Sequence, residues 1–189
     1  MSTNGKLIVI VAPSGTGKST LIKRLKNEFP SLLESVSYTT RPIRPGETHG
    51  KSYFFTQKED FQKMIDNNEF LEWANVHGNF YGTSKKFVED SLDSGKHLLF
   101  DLDVQGTDSI KKYFGSRANA IFIAPPSVEE LEKRLRHRGT ENTQVINVRL
   151  LNAQNELLRK NDYDFLVYNE DIETAYGNLK NIITKILNG

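Results

Sequence analysis

Residues 7–20 have the sequence L-I-V-I-V-A-P-S-G-T-G-K-S-T, an apolar run followed by a glycine-rich turn that leads into a helix. The apolar run predicts a strand buried on both faces, and the turn aims backbone N–H groups and a helix N-terminus at one point. Such a point binds a polyphosphate, with Lys18 reaching the terminal oxygens and the Ser19 hydroxyl ligating Mg²⁺. The residues predicted to form this phosphate loop are Ala12, Pro13, Ser14, Gly15, Thr16, Gly17, Lys18, Ser19 and Thr20.

The phosphate loop departs from the usual pattern at its first position, where Ala12 replaces a glycine. Alanine adds only a Cβ, so we expect a negative φ at Ala12 and an intact loop. A glycine-rich segment that merely turns the chain is the alternative. It is disfavoured because Gly15, Gly17, Lys18 and Ser19 follow a buried strand in the register that phosphate binding requires.

The composition predicts one folded domain. A chain of 189 residues can bury one substantial core, and 26% charged residues with a net charge of +1 give no general attraction to nucleic acid or membranes. The sequence has no cysteine, no stretch able to span a bilayer and no segment with the form of a signal peptide. We therefore expect a cytoplasmic protein with neither a nucleic-acid nor a membrane partner.

Strand and helix patterns alternate along most of the chain, which predicts a doubly wound α/β fold with a parallel sheet. Between about residues 37 and 94 the alternation is interrupted. There we expect a capping box of Thr56 and Glu59 to open a helix, and a turn at Gly78–Gly82 to precede another. After the first strand, further strands are predicted at 33–38, 53–55, 70–76, 97–103, 120–124 and 165–168. Helices are predicted over 17–29, 56–67, 83–94 and 144–159, with others after 106, after Ser127 and at the end of the chain.

The second strongly apolar strand, 97–103, ends in two carboxylates, Asp101 and Asp103. Parallel sheets bind their ligands at the carboxyl ends of the strands, so we expect both side chains to point toward the phosphate loop.

Several arginines suit the transfer of a phosphoryl group to a phosphorylated acceptor. That reaction brings two anions together and needs positive charge beyond the loop lysine and Mg²⁺. Taken singly, each arginine is also consistent with a surface ion pair. The candidates are Arg41 and Arg44 in an irregular loop, and Arg134, Arg138 and Arg149 on a basic helical hairpin that could close as a lid.

A GTPase switch is a further interpretation, because residues 103–106, D-V-Q-G, match its pattern for contacting a terminal phosphate. The chain contains no N-K-x-D motif for recognising guanine. Since short patterns such as D-x-x-G recur by chance, the GTPase interpretation is disfavoured.

Seven motifs occur in order along the chain: A-P-S-G-T-G-K-S-T, S-Y-T-T-R-P-I-R-P-G-E-x-x-G-x-x-Y-F-F, E-F-L-E-W-A, F-Y-G-T, D-L-D-V-Q-G, I-A-P-P-S and R-L-x-x-R-G-T-E. In these motifs the chain resembles the guanylate kinase family over essentially its whole length. The resemblance implies a P-loop NTPase-type doubly wound parallel sheet with an inserted mixed α/β GMP-binding subdomain and a helical lid. It also implies an enzyme that uses Mg²⁺ and converts ATP and GMP to ADP and GDP.

The resemblance assigns roles to individual residues. Those implied to read guanine are Ser37, Glu72, Thr83 and Asp103, and those implied to hold the GMP phosphate are Arg41, Arg44, Tyr53 and Tyr81. Ser19 and Asp101 would lie at the Mg²⁺ ion, and Arg134 and Asn169 beside ATP. The implied catalytic residues are Lys18, Arg44, Arg138 and Arg149. The implied division of the single domain is a core of 1–36, 95–133 and 160–189, a GMP-binding insert of 37–94 and a lid of 134–159.

The residue types agree with part of this assignment. Guanine presents N1–H and N2–H₂ as adjacent donors, which a carboxylate such as Glu72 accepts together, whereas adenine presents a lone pair there. Tyr53 and Tyr81, taken singly, are more often strand-packing aromatics. Trp73 is interpreted as a core residue.

Two other functions stay open from the sequence. One is a phosphotransferase of the same build that acts on another phosphorylated acceptor. The other is a non-catalytic interaction module, which the presence of Lys18, Ser19 and Asp101 disfavours. The sequence leaves the oligomeric state undetermined.

Overall fold

The protein is described by a computed structural model that covers residues 5–76, 78–137 and 143–189. In chain order its elements are β1 (Leu7–Val11), α1 (Lys18–Glu28), β2 (Leu32–Glu34), β3 (Tyr38–Thr39), β4 (Phe54–Phe55), α2 (Lys58–Asp66), β5 (Phe70–Val76), β6 (Asn79–Ser84), α3 (Lys85–Asp93), β7 (His97–Leu102), α4 (Val104–Phe114), β8 (Ala118–Ala124), α5 (Val128–His137), α6 (Thr143–Leu158), β9 (Phe165–Tyr168) and α7 (Ile172–Asn188). None of the helices in the described ranges is long and apolar enough to cross a membrane.

Five parallel strands form the central sheet, in the order β2-β7-β1-β8-β9. Strand β1 lies in the middle with all five residues fully buried, as its unbroken apolar run predicts. Helices α1 and α7 cover one face through residues such as Leu25 and Leu179, and α3 and α4 cover the other through residues such as Leu92 and Ile110. The predicted doubly wound α/β architecture is confirmed.

A second, mixed sheet forms a separate subdomain, with the strand order β4-β3-β6-β5. Helix α2 covers this sheet with Phe61, whose ring stacks on Phe70 at 4.4 Å and on Phe80 at 5.5 Å between centroids. Helix α3 lies inside the predicted insert 37–94 but packs on the central sheet through Val88 and Leu92. The boundaries of core, insert and lid stay a prediction.

Three local predictions are wrong. The strand predicted over 33–38 is two strands, β2 in the central sheet and β3 in the second sheet, because the chain leaves one sheet for the other between them. Of the residues predicted to form a turn at Gly78–Gly82, only Gly78, which has φ of 80°, lies outside a strand, because strand β6 begins at Asn79. Helix α3 accordingly begins at Lys85, with Ser84 as its N-cap.

The capping box predicted for Thr56 and Glu59 is wrong as well. Helix α2 begins at Lys58, with Gln57 as a cap that makes no side-chain capping hydrogen bond. Thr56 is held instead as the continuation of β4, where its backbone N–H donates to the Thr39 carbonyl at 2.9 Å.

Gly82 provides a test of the packing in the second sheet. A Cβ at Gly82 would lie 2.9 Å from Cδ1 of Phe70 and 3.1 Å from Cζ of Phe61. We expect Gly82→Ala to lower the free energy of unfolding by about 1–3 kcal/mol, because overpacked rings must shift. Urea unfolding of wild type and variant measures this change.

Gly177 in α7 is the matched control, since a Cβ there meets nothing within 4 Å. Gly177→Ala should raise the free energy of unfolding by about 0.5–1 kcal/mol, because alanine is the better helix former. If Gly82→Ala were neutral or stabilising in the same assay, the close packing around Phe70 would be refuted.

Candidate active site

The phosphate loop connects the buried strand β1 to helix α1. Gly15 and Gly17 have φ values of 95° and 92°, which a side chain would strain, and Gly17 is the N-cap of α1. The backbone N–H and hydroxyl of Thr16 both donate to the carbonyl of Pro13, at 3.3 and 2.9 Å. Among the non-glycine residues that the structure describes, a positive φ occurs only at Asn68, so Ala12 has the negative φ expected of it.

Asn169 stabilises the phosphate loop through a buried hydrogen bond. Its side-chain amide, almost completely buried, donates to the Thr16 carbonyl at 2.6 Å. A Cβ on Gly17 would lie 2.6 Å from the same amide nitrogen, so this close approach requires glycine. Arg134 donates to the Asn169 carbonyl at 3.1 Å, which places both of these predicted ATP residues beside the loop.

Lys18 contacts the end of the neighbouring strand β7. Its ammonium lies 2.6 Å from a carboxylate oxygen of Asp101 and donates to the Leu102 carbonyl at 3.0 Å. The expectation that Asp101 faces the phosphate loop is confirmed. In this arrangement Asp101 neutralises the charge of the lysine that is predicted to bind phosphate.

Asp103 joins two cavities. One, of about 330 Å³, is lined by the phosphate loop, and the other, of about 350 Å³, is lined by Glu72 and the start of α4. Asp103 lines both, and as the N-cap of α4 it accepts a hydrogen bond from the Gly106 N–H at 2.8 Å. The predicted ATP and GMP sites therefore adjoin at this carboxylate.

Glu72 and Thr83 lie opposite one another on the paired strands β5 and β6. The Thr83 hydroxyl donates to the Glu72 carboxylate at 2.6 Å. Burial raises the pKa of Glu72, the Thr83 hydrogen bond opposes the rise, and the charge of Asp103 adds to it. Trp73, next along the strand, is 47% exposed and lines the same cavity, so its interpretation as a core residue is wrong.

Ser37 lies at the opening between the central sheet and the second sheet. It lines a cavity of about 230 Å³ together with Tyr53, Thr83 and Asp101. The fold therefore brings residues predicted for guanine, for the GMP phosphate and for Mg²⁺ to one cleft.

The arginine loop after β3 is ordered by Glu47. The guanidinium of Arg41 donates to both Glu47 oxygens at 3.0 and 2.6 Å, and the Arg44 backbone N–H donates to one of them at 2.8 Å. This pairing raises the pKa of Arg41 and lowers the pKa of Glu47. Arg41 also lies 5.5 Å from the ring centroid of Tyr53, and the Tyr53 and Tyr81 rings are 5.9 Å apart.

Helices α5 and α6 carry the predicted lid residues. Arg149 on α6 approaches the phosphate loop, with Nη1 at 3.4 Å from the Ser14 hydroxyl. Arg138, also predicted as catalytic, lies outside the described residues.

Glu156 on α6 is a candidate site residue that was not predicted from the sequence. Its carboxylate lines the phosphate-loop cavity together with Asp103. No motif marks this glutamate, but it follows Arg149 by seven residues, two helical turns, which places both on one face of α6. That spacing was the available signal.

Known proteins match this chain over nearly its whole length. A family model described as guanylate kinase matches residues 4–186. The guanylate kinase of Helicobacter hepaticus is 49% identical over 173 residues, covering 92% of this chain and 86% of that protein. The guanylate kinase of Nitratidesulfovibrio vulgaris is 49% identical over 177 residues, covering 94% and 85%.

A solved structure has the same fold. The crystal structure of guanylate kinase from Anaplasma phagocytophilum matches with a TM-score of 0.67 at 34% identity, covering 97% of this chain and 86% of that one. The phosphate loop, the adjoining cavities and these similarities agree: the chain belongs to the guanylate kinase family.

Proposed function

We propose how this guanylate kinase, an ATP:GMP phosphotransferase, divides its site between its two substrates. ATP binds in the cavity of the phosphate loop, and GMP binds in the cleft between the central sheet and the second sheet. The position of Asp103 on the walls of both cavities carries this proposal, because it brings the two sites together. Direct in-line transfer between the two nucleotides needs such adjacency and no covalent enzyme intermediate.

On the ATP side, the backbone N–H groups of the phosphate loop and the N-terminus of α1 hold the phosphates. Lys18 leaves Asp101 and turns to the transferring group. Arg134 and Asn169 support the loop through the hydrogen bonds that join them to each other and to Thr16.

The residues at the loop suit Mg²⁺. Ser19 offers a hydroxyl and Asp101 a carboxylate, and hard oxygen ligands are those that Mg²⁺ prefers. Within the described ranges, no three His, Cys, Asp or Glu side chains are grouped so that they could hold a metal, which fits an ion bound mainly through phosphate and water. When bound, Mg²⁺ neutralises charge that develops on the phosphate oxygens.

On the GMP side, the Glu72 carboxylate accepts hydrogen bonds from the two adjacent donors of guanine. The Thr83 hydroxyl holds this carboxylate by donating to one of its oxygens. Ser37 and Asp103 complete the recognition of the base. Arg41, Arg44, Tyr53 and Tyr81 surround the GMP phosphate.

The proposed lid supplies the remaining positive charges for phosphoryl transfer. Arg149, with Arg138 beyond the described residues, would reach the phosphates in transfer as α6 closes. Closure also excludes water, which would otherwise accept the phosphoryl group. We further propose that the protein works in the cytoplasm, where both nucleotides are found.

A coupled assay of ADP formation tests this function. Mg-ATP is offered with each nucleoside monophosphate in turn, and turnover should depend on GMP. Equal turnover with another phosphorylated acceptor would favour the alternative phosphotransferase. No turnover with any acceptor would favour the interaction module.

Lys18→Ala should lower kcat by at least about a hundredfold, because the charge aimed at the transferring group is lost. Lys26→Ala is the matched control, since Lys26 is an exposed lysine on the same helix that pairs with Glu34. Steady-state kinetics measure both variants. A Lys18→Ala enzyme with wild-type turnover contradicts the assignment.

Glu72→Gln should remove most of a preference for GMP over AMP that we expect to be on the order of 10⁴ in kcat/KM. The amide keeps the volume but places a donor against guanine's own donors. Glu69→Gln, at an exposed glutamate beside the same strand, is the control. If the preference survives Glu72→Gln within a few-fold, the base is read elsewhere.

The raised pKa of Glu72 predicts that the affinity for GMP depends on pH. GMP needs the ionised carboxylate, so GMP affinity should fall as the pH is lowered through a midpoint above the ordinary pKa of glutamate. Calorimetric titration with GMP at several pH values measures this midpoint. Glu72→Gln should bind weakly with little change over the same range, and an unchanged midpoint in that variant contradicts the prediction.

Arg149→Ala should lower kcat by at least about tenfold with little change in GMP affinity, because the charge acts on the phosphates in transfer. Arg136→Ala on α5, where the arginine pairs with Glu132 at the surface, is the control. Weaker GMP binding at unchanged kcat would show a ground-state role instead.

A further inference from the structure

Glu156 lies at the phosphate loop, and its carboxylate has no role in the proposed function. It lines the phosphate-loop cavity of about 330 Å³, and with Asp103 it also lines the neighbouring groove between α4 and α6. Two acidic side chains thus face a cavity that is proposed to receive a polyanion.

The position of Glu156 is fixed by a clamp at the end of α6. Arg159 donates to both carboxylate oxygens of Asp108 on α4 at 2.8 Å each, and to Asp162 at 3.1 Å. Helix α4 begins directly after Asp103. Because Glu156 lies about one helical turn before Arg159, the clamp keeps Glu156 close to Asp103.

The charges around Glu156 are poorly balanced. Burial raises the pKa of Glu156, Asp103 raises it further, and Lys18 opposes both. The Lys18 ammonium lies against Asp101 and, within the described part of the chain, Glu156 has no ion pair of its own. When Lys18 turns to phosphate, Asp101, Asp103 and Glu156 all remain near the incoming nucleotide.

A carboxylate that faces phosphate oxygens weakens binding unless a cation lies between them. We propose that Glu156 makes the phosphate-loop cavity select ATP that carries its divalent cation over metal-free ATP. The selectivity comes from repulsion of the metal-free nucleotide. This inference rests on the proposed binding of ATP at the phosphate loop.

Glu156→Gln tests the inference, because it removes the charge and keeps the shape. ATP is titrated calorimetrically into wild type and variant without GMP, once with EDTA and once with excess Mg²⁺. The variant should bind metal-free ATP about tenfold more tightly, and its affinity for Mg-ATP should change by less than about threefold. The preference for Mg-ATP would then fall by about an order of magnitude.

Three further variants sharpen the test. Glu132→Gln removes a glutamate on α5 that pairs with Arg136 at the surface, so it has the same net charge as Glu156→Gln and should keep the wild-type preference. Glu156→Asp keeps the charge and should keep most of the preference. Glu156→Ala introduces a neutral side chain that has no amide, and it should lose the preference for Mg-ATP as Glu156→Gln does.

If Glu156→Gln and Glu156→Ala change the affinity for metal-free ATP and for Mg-ATP by the same factor, the inference is overturned. A merely structural role of Glu156 would affect the binding of both forms of ATP alike. An unchanged preference in those two variants overturns it too. A wild-type protein that binds neither form of ATP refutes the ATP site itself, which is a different failure.

Discussion

The parallel pairing of β1 with β7 is the constraint on which the site depends. This pairing places Ile10 beside Asp101 and Val11 beside Leu102, so the two strands end together. The phosphate loop follows one strand and Asp103 follows the other. Lys18 and Asp101 can therefore form an ion pair although they are far apart in sequence. The full burial of β1 makes a shift of this register costly, because a shift would move one end of the apolar run out of the sheet and leave backbone groups unpaired.

The proposed base pocket depends on a second register, that of β5 with β6. Glu72 lies opposite Thr83, and a shift of one residue would turn the carboxylate to the other face of the sheet. Gly82 allows this sheet to pack closely under the Phe70 ring. Helix α4 packs against β5 and begins directly after its N-cap Asp103, so this helix holds the cavity at Glu72 beside the phosphate-loop cavity.

The sequence predicted those parts of the fold whose signal is local. The run 7–20 and the strands at 97–103 and 120–124 were found because residues buried on both faces of the sheet leave an apolar run in the sequence. The strand predicted over 33–38 and the turn at Gly78–Gly82 failed because pairing partners far along the chain, not local propensity, decide where short strands begin and end. Glu156 was missed for a related reason: its role depends on Asp103 and the Arg159–Asp108 clamp, which only the tertiary structure brings to it.

Two cations of the proposed site are held in internal ion pairs in the structure. Lys18 is paired with Asp101, and Arg41 is paired with Glu47 through two hydrogen bonds. Such pairing keeps the long side chains ordered and avoids a cleft of unbalanced positive charge. In the proposed assignment a bound phosphate replaces a carboxylate as the partner of each cation, and the carboxylate that is released needs a new partner. At Lys18 the released group is Asp101, itself a proposed Mg²⁺ ligand, so in the proposed assignment phosphate binding and cation binding favour each other at this end of the sheet.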